Sequence, residues 1–109
     1  MNIQYKKGVL ELCVLSLLHG RDRYGYEVSE SLSGKIDIAD GTVYPILRKL
    51  KSDGLVTTYL SEESGGPPRK YYSLTKLGRE TYQADRADYL GFAKTVEEIL
   101  AEENQNQEK

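Results

Sequence analysis

The sequence predicts a mainly helical α+β fold: three helices, a two-stranded β-hairpin, then one long helix. Three observations carry this. Apolar residues recur at helical spacing around residues 5–19, 24–32, 43–50 and 77–100. Two runs rich in Val, Thr, Tyr and Leu flank "ESGGPP", and Gly-Gly-Pro-Pro can continue neither run. Glycines at 20, 34 and 54 stand where three helical patterns end. A chain of 109 residues makes one domain, or one small domain plus a helical appendage.

The first helix, about residues 5–19, contains "LELCVLSLL" and is apolar in nearly every direction. Such a helix is buried on more than one side, which in a small chain points to a subunit interface. His19, just before Gly20, is expected to meet the free carbonyls of the helix end. The second helix, "YGYEVSESLSG", should turn Tyr24, Val28 and Leu32 inward, with Gly25 allowing a close approach by a neighbouring helix. "KIDIAD" alternates and reads as a short extended piece, with Asp40 as N-cap of the third helix. That helix, "GTVYPILRKLKSDG", buries Val43, Ile46, Leu47 and Leu50 and stops at Gly54. Pro45 falls in its first turn, where a missing N–H costs at most about one hydrogen bond. In the hairpin, strand alternation places Tyr72 inside with Leu74. Thr75 opens the last helix, where Tyr82, Tyr89 and Val96, and Phe92 and Ile99, keep a seven-residue repeat suited to a partner helix. Asp85 interrupts that seam, and the closing "AEENQNQEK" is polar and reads as frayed.

The net charge of -2 says little, but its distribution says more. Residues 1–34 balance, residues 35–79 carry a net +3 and residues 80–109 a net -5. A positive middle is the part expected to meet a polyanion. One cysteine, Cys13, excludes an internal disulfide and fits a reducing cytoplasm; inside its apolar run it reads as a small buried hydrophobe. No signal peptide and no membrane span of roughly 20 apolar residues is visible. One His, one Cys and no acidic cluster at ligand spacing argue against a metal, and no nucleophile–base pair or Gly-rich phosphate loop argues for an enzyme. No cofactor is expected.

Helix, helix, helix, hairpin, long helix is the order of a winged helix-turn-helix with a C-terminal association helix. The boundaries follow: 1–75 for the DNA-binding unit, 76–104 for a dimerisation helix, 105–109 for a polar tail. In a helix-turn-helix the second helix of the motif enters the major groove, and here that is the third helix. At about 100° per residue, Pro45, Arg48 and Ser52 point away from its apolar stripe. Thr42 and Lys49 lie on one flank, Tyr44 and Lys51 on the other. Hydroxyls and ammonium groups suit phosphates, and Arg48 suits a guanine edge. The hairpin tip "GGPPRK" can carry Arg69 and Lys70 to the neighbouring backbone or into a minor groove.

The residues also resemble those of the PadR-like transcriptional regulators, small winged-helix repressors. The resemblance spans nearly the whole chain, through "LELCVLSLL", "YGYEV", "GTVYPILRKLKSDGLV" and "GGPPRKYYSLTKLG" in order. It implies a homodimer on a roughly palindromic DNA operator, held together by the first and last helices. On that reading Val9, Cys13, Leu17, Tyr82, Tyr89, Phe92, Val96, Ile99 and Leu100 form the dimer interface. Thr42, Tyr44 and Pro45 match the family's recognition motif, and Arg69, Lys70 and Tyr71 its wing. The single short C-terminal helix resembles the family's small subgroup. Some members answer to phenolic acids and others to flat cationic drugs stacked on a tryptophan. This chain has no Trp; Tyr89 or Phe92 could take its place for an aromatic inducer, while most of these aromatics are expected to serve packing.

Plainer readings stand beside these. Arg48, Lys49 and Lys51 also suit a solvated cationic face, Tyr44 a ring propping the wing, and the Tyr82–Leu100 seam packing within one chain. A winged-helix module binding an acidic protein is the alternative function. Salt dependence separates the two, because a duplex releases counterions in proportion to the phosphates neutralised.

Overall fold

The computed structural model describes the backbone of residues 3–39, 41–62 and 65–107, and the side chains of 8–39, 41–62 and 65–103. The order is α1 (Ile3–Gly20), β1 (Arg23–Tyr24), α2 (Gly25–Ser33), α3 (Val43–Ser52), β2 (Val56–Ser61), β3 (Arg69–Leu74) and α4 (Lys76–Gln107). The hairpin expected from the sequence is β2–β3, antiparallel, with Val56 opposite Leu74 and Ser61 opposite Arg69. The sheet has a third member that the sequence did not suggest. Arg23 and Tyr24 pair antiparallel with Tyr72 and Tyr71, giving the order β1-β3-β2. Tyr24 therefore belongs to the sheet and to the N-terminus of α2, and not to an inner helical face, where Val28 and Leu32 remain buried.

The core sits where α1, α2 and α3 converge on the base of the hairpin. Leu10, Val14, Leu15 and Leu18 of α1 meet Val28, Leu32, Val56 and Leu74. All four expected residues of α3, Val43, Ile46, Leu47 and Leu50, are buried with them. Tyr72 packs against this core from the inner face of β3, as strand alternation requires. "KIDIAD" is a turn followed by irregular chain and not a strand. Lys35 and Ile36 both donate their amides to the Leu32 carbonyl, and Ile36 and Ile38 pack on the core. Asp40 lies outside the described residues; the N-cap position of α3 is held by Thr42, without a side-chain hydrogen bond.

The C-terminal end of α3 explains how the hairpin is aimed. Gly54 has φ +77°, a left-handed conformation that a side chain would oppose. It lets the Gly54 and Leu55 amides return to the Lys51 and Leu50 carbonyls, closing a Schellman turn. The chain then leaves directly into β2. At the other end of the hairpin, Thr75 fastens α4 to this turn. Its amide donates to the Leu55 carbonyl at 3.0 Å. Its hydroxyl donates to the Gly54 carbonyl at 2.7 Å and accepts the Gly78 amide at 3.0 Å, the usual N-cap bond. Thr75→Val keeps the shape and removes both hydroxyl bonds. It is expected to cost about 1–2 kcal/mol, seen as a lower urea midpoint with an unchanged slope; a midpoint equal to the parent's would show that water replaces the hydroxyl.

α1 ends differently from the sequence expectation. The Leu17 carbonyl is taken by the Arg23 guanidinium, whose Nε donates at 3.0 Å. His19 instead lies on the ring of Tyr82, centroids 4.8 Å apart. Tyr82 is only 8% exposed, part of the core, with its hydroxyl 3.3 Å from that of Ser16. The first member of the expected seam is thus used up within its own chain. Beyond it no described residue of α4 is buried, and the helix runs straight on through Gln107, past the boundary expected at 104. Residues 108–109 of the expected tail lie outside the described residues. The molecule is accordingly elongated, 63 × 28 × 21 Å.

Candidate nucleic-acid interface

With its apolar stripe fully buried, α3 presents the remaining face outward. Tyr44, Pro45, Arg48, Lys49 and Lys51 are all exposed, and Thr42 is half-buried. The structure divides these residues more sharply than a helical wheel does. Lys49 turns toward α1, where its ammonium lies 3.4 Å from Glu11 and 3.2 Å from Asp53. Its pKa rises above the ordinary lysine value, first through the Asp53 hydrogen bond and then the charge of Glu11. Lys51 turns the other way and donates to the Thr58 hydroxyl of β2 at 3.1 Å. Two of the three cations of the expected reading face are therefore held by the chain itself.

Arg48 differs. It joins Tyr44, Lys70 and Arg69 along a cleft of about 470 Å³ between α3, the start of α2 and β3. Tyr24, Gly25, Tyr26 and Tyr72 also line it, so its walls are aromatic and its charges positive, with no carboxylate among the described residues that line it. Tyr72 has its phenol pushed above the usual range by burial and then by Tyr44, with the Arg48 charge opposing that shift in part. Gly25 fulfils the expectation of a close approach: a Cβ there would stand 2.8 Å from Cε1 of Tyr44. α2 is pinned beside this cleft by Glu27. One of its carboxylate oxygens accepts the Tyr24 amide at 3.2 Å and the other takes Arg21 at 2.8 Å. The Arg21 bond is the main cause of a Glu27 pKa below the usual carboxylate value.

The hairpin brings Arg69 and Lys70 to the cleft but sends Tyr71 elsewhere. Tyr71 lies on the sheet face of Arg69, opposite to Lys70 and Tyr72, in register with Tyr59 of β2 and Tyr24 of β1. Its ring stacks on Tyr59 at 5.6 Å and meets Tyr24 edge-on at 5.5 Å. The Arg69 guanidinium lies over the Tyr24 ring, 4.6 Å from its centroid. Tyr59 also donates to Asp22 at 2.7 Å, tying the ladder to the turn after α1. This three-strand tyrosine ladder stiffens the base of the wing and was missed from sequence, because its β1 member is a two-residue strand without a readable period. Tyr24 at the cleft was missed for the same reason, whereas Tyr26 is an exposed residue in the first turn of α2 that only the tertiary fold brings there.

Among the expected interface residues of the first and last helices, Val9, Cys13 and Leu17 are half-buried on α1, and Leu17 and Cys13 also pack on the core. The Cys13 thiol is pushed up by burial. On α4, Tyr89 and Val96 are half-buried, whereas Phe92, Ile99 and Leu100 are 59%, 58% and 57% exposed. Among the described residues no cluster of His, Cys, Asp or Glu could hold a metal, and no helix is long and apolar enough to cross a membrane.

Comparison with known proteins agrees with this fold. A model of the transcriptional regulator PadR-like family matches residues 14–84, from the middle of α1 to the start of α4. A transcriptional regulator from Streptococcus is 35% identical, with a TM-score of 0.83 over 90% of this chain and 98% of that one. A PadR-like transcriptional regulator from Bacillus cereus is 33% identical, with a TM-score of 0.82 over 89% of this chain and 96% of that one. The Escherichia coli transcriptional regulator YqjI is 31% identical over 72% of this chain, which spans 38% of YqjI. By sequence and by fold, this chain belongs to the PadR-like family of transcriptional regulators.

Proposed function

We propose that this chain is a homodimeric repressor that binds a palindromic duplex operator through α3 and the β2–β3 wing. The observation that carries the reading is the arrangement of α3. Its apolar side is spent entirely on the core, while Tyr44 and Arg48 stand exposed beside two wing cations. A helix so placed can enter a major groove while the hairpin follows the adjacent minor groove. Thr42 and Pro45, at the N-terminal end of α3, reach base edges first; a hydroxyl and an apolar ring suit a thymine methyl and its neighbours. The dimer uses the exposed stripe of α4 with the half-buried side of α1, so that two copies of α3 meet two half-sites.

The test is a gel-shift titration on the DNA upstream of the chain's own gene, with random duplex as competitor. The expected result is a discrete shift that resists the competitor and weakens steeply with salt, the log–log slope being about -0.9 per phosphate neutralised. A complex equally sensitive to random duplex on every fragment tried, or affinity independent of salt, would overturn sequence-specific binding and favour an acidic protein as partner.

A further inference from the structure

α3 and the wing are two prongs. With α3 in a major groove and the wing in the neighbouring minor groove, one sugar–phosphate strand must run between them, because a single backbone strand separates adjacent grooves. The space between the prongs is the 470 Å³ cleft, and its cations come from both sides: Arg48 from α3, Lys70 and Arg69 from β3. We propose that this cleft seats one phosphodiester of that strand, clamped between Arg48 and Lys70, and that Arg48 thereby supplies affinity and not base recognition. The proposal rests on the DNA-binding reading and deepens it.

Three features favour a phosphate over a base edge. First, Lys49 is paired with Glu11 and Asp53 and Lys51 turns to the Thr58 hydroxyl of β2, so Arg48 is the α3 cation that lines the cleft. Second, Arg48 shares its cleft with a lysine, and two cations converging from separate elements suit a dispersed negative charge, which a guanidinium can meet with two parallel N–H bonds. Third, Tyr44, one turn before Arg48 on the same face of α3, also lines the cleft, with a hydroxyl able to donate to a phosphate oxygen. Gly25 sets the place of its ring: with the Cβ position only 2.8 Å from the Tyr44 ring, any larger residue must displace the ring. Gly25 is thus a positioning residue for Tyr44.

The experiment uses an operator duplex selected from a random-sequence pool, with a random duplex alongside, titrated across a salt series. Arg48→Ala and Lys70→Ala are each expected to flatten the log–log slope by about 0.9 and to weaken both duplexes by a similar factor, about tenfold. The operator-to-random ratio stays as in the parent. Lys49→Ala leaves the slope unchanged. Gly25→Ala weakens binding with the slope intact, and has no further effect once Tyr44→Ala is present. An unchanged slope in Arg48→Ala overturns the clamp, and a loss on the operator with random duplex unaffected overturns it and makes Arg48 a base reader. Those results in a chain whose parent binds duplex leave the proposed function standing. A parent that binds no duplex removes both.

Discussion

Gly78→Ala is expected to lower the thermal midpoint by roughly 12–24 °C, the equivalent of about 3 kcal/mol in a chain of this size. Gly78 is buried in the first turn of α4, and a Cβ there would collide with the backbone carbonyl of Leu55. The same Cβ would lie 3.0 Å from the Leu55 carbonyl carbon and 3.2 Å from a Leu74 methyl. A side chain could swing aside; this carbonyl cannot. It accepts the Thr75 amide, and the Leu55 amide is bound to Leu50 in the turn that ends α3. The Gly54 carbonyl next to it receives the Thr75 hydroxyl. Relief therefore requires α4 to lift from the hairpin base, breaking the N-cap of α4 and the aim of the wing together. Gly91→Ala is the control, because its Cβ would meet nothing within 4 Å and alanine gains about 0.5–1 kcal/mol in a helix interior. Both are compared by calorimetry at one protein concentration. A midpoint for Gly78→Ala within 3 °C of the parent would show that the α4 start shifts freely.

How far the sequence reaches can be read from the same parts. The stripe of α3 was legible in full, because four apolar residues at helical spacing admit one burial pattern and Gly54 marks its end. The β2–β3 hairpin was legible for a similar reason, two β-rich runs around Gly-Gly-Pro-Pro. What stayed hidden was tertiary. Strand β1 is two residues long and exists only by pairing with β3. Lys49 meets Glu11 across 38 residues, and nothing local in either segment announces the pair. Periodicity also could not say whether Tyr82 packs inward or onto a partner, since both faces of that turn of α4 look alike in sequence; Ser16 and His19 decide it. The cleft combines all three kinds of information, with Tyr44 and Arg48 visible from helix spacing, Lys70 from the wing, and their convergence visible only in three dimensions.

The double substitution Val96→Asp with Ile99→Asp is expected to convert a dimer to monomers and to weaken operator binding by about 100-fold or more, through loss of the second half-site. The argument begins with Tyr89, Phe92, Val96 and Ile99, which step by three and four residues and so form one narrow stripe along α4. Phe92, Ile99 and Leu100 stand more than half exposed, a run of large apolar side chains that no described element of the chain covers. The flanks of the helix carry Glu97, Glu98, Glu102 and Glu103, all exposed, so solvation on the other faces is assured and the stripe alone asks for burial. In the proposed dimer a second copy would supply the same stripe, which a two-fold axis would make self-complementary. Aspartates there would place four charges in the seam of a dimer, at a cost far beyond their helix propensity of about 0.7 kcal/mol or less each. The protomer itself should survive, because the described core ends at Tyr82, well before these positions. Sedimentation velocity and far-ultraviolet dichroism together decide the matter. Monomers with undiminished helix content carry the interface assignment, whereas an unchanged sedimentation coefficient places the dimer contact elsewhere, with the half-buried residues of α1 the next surface to change.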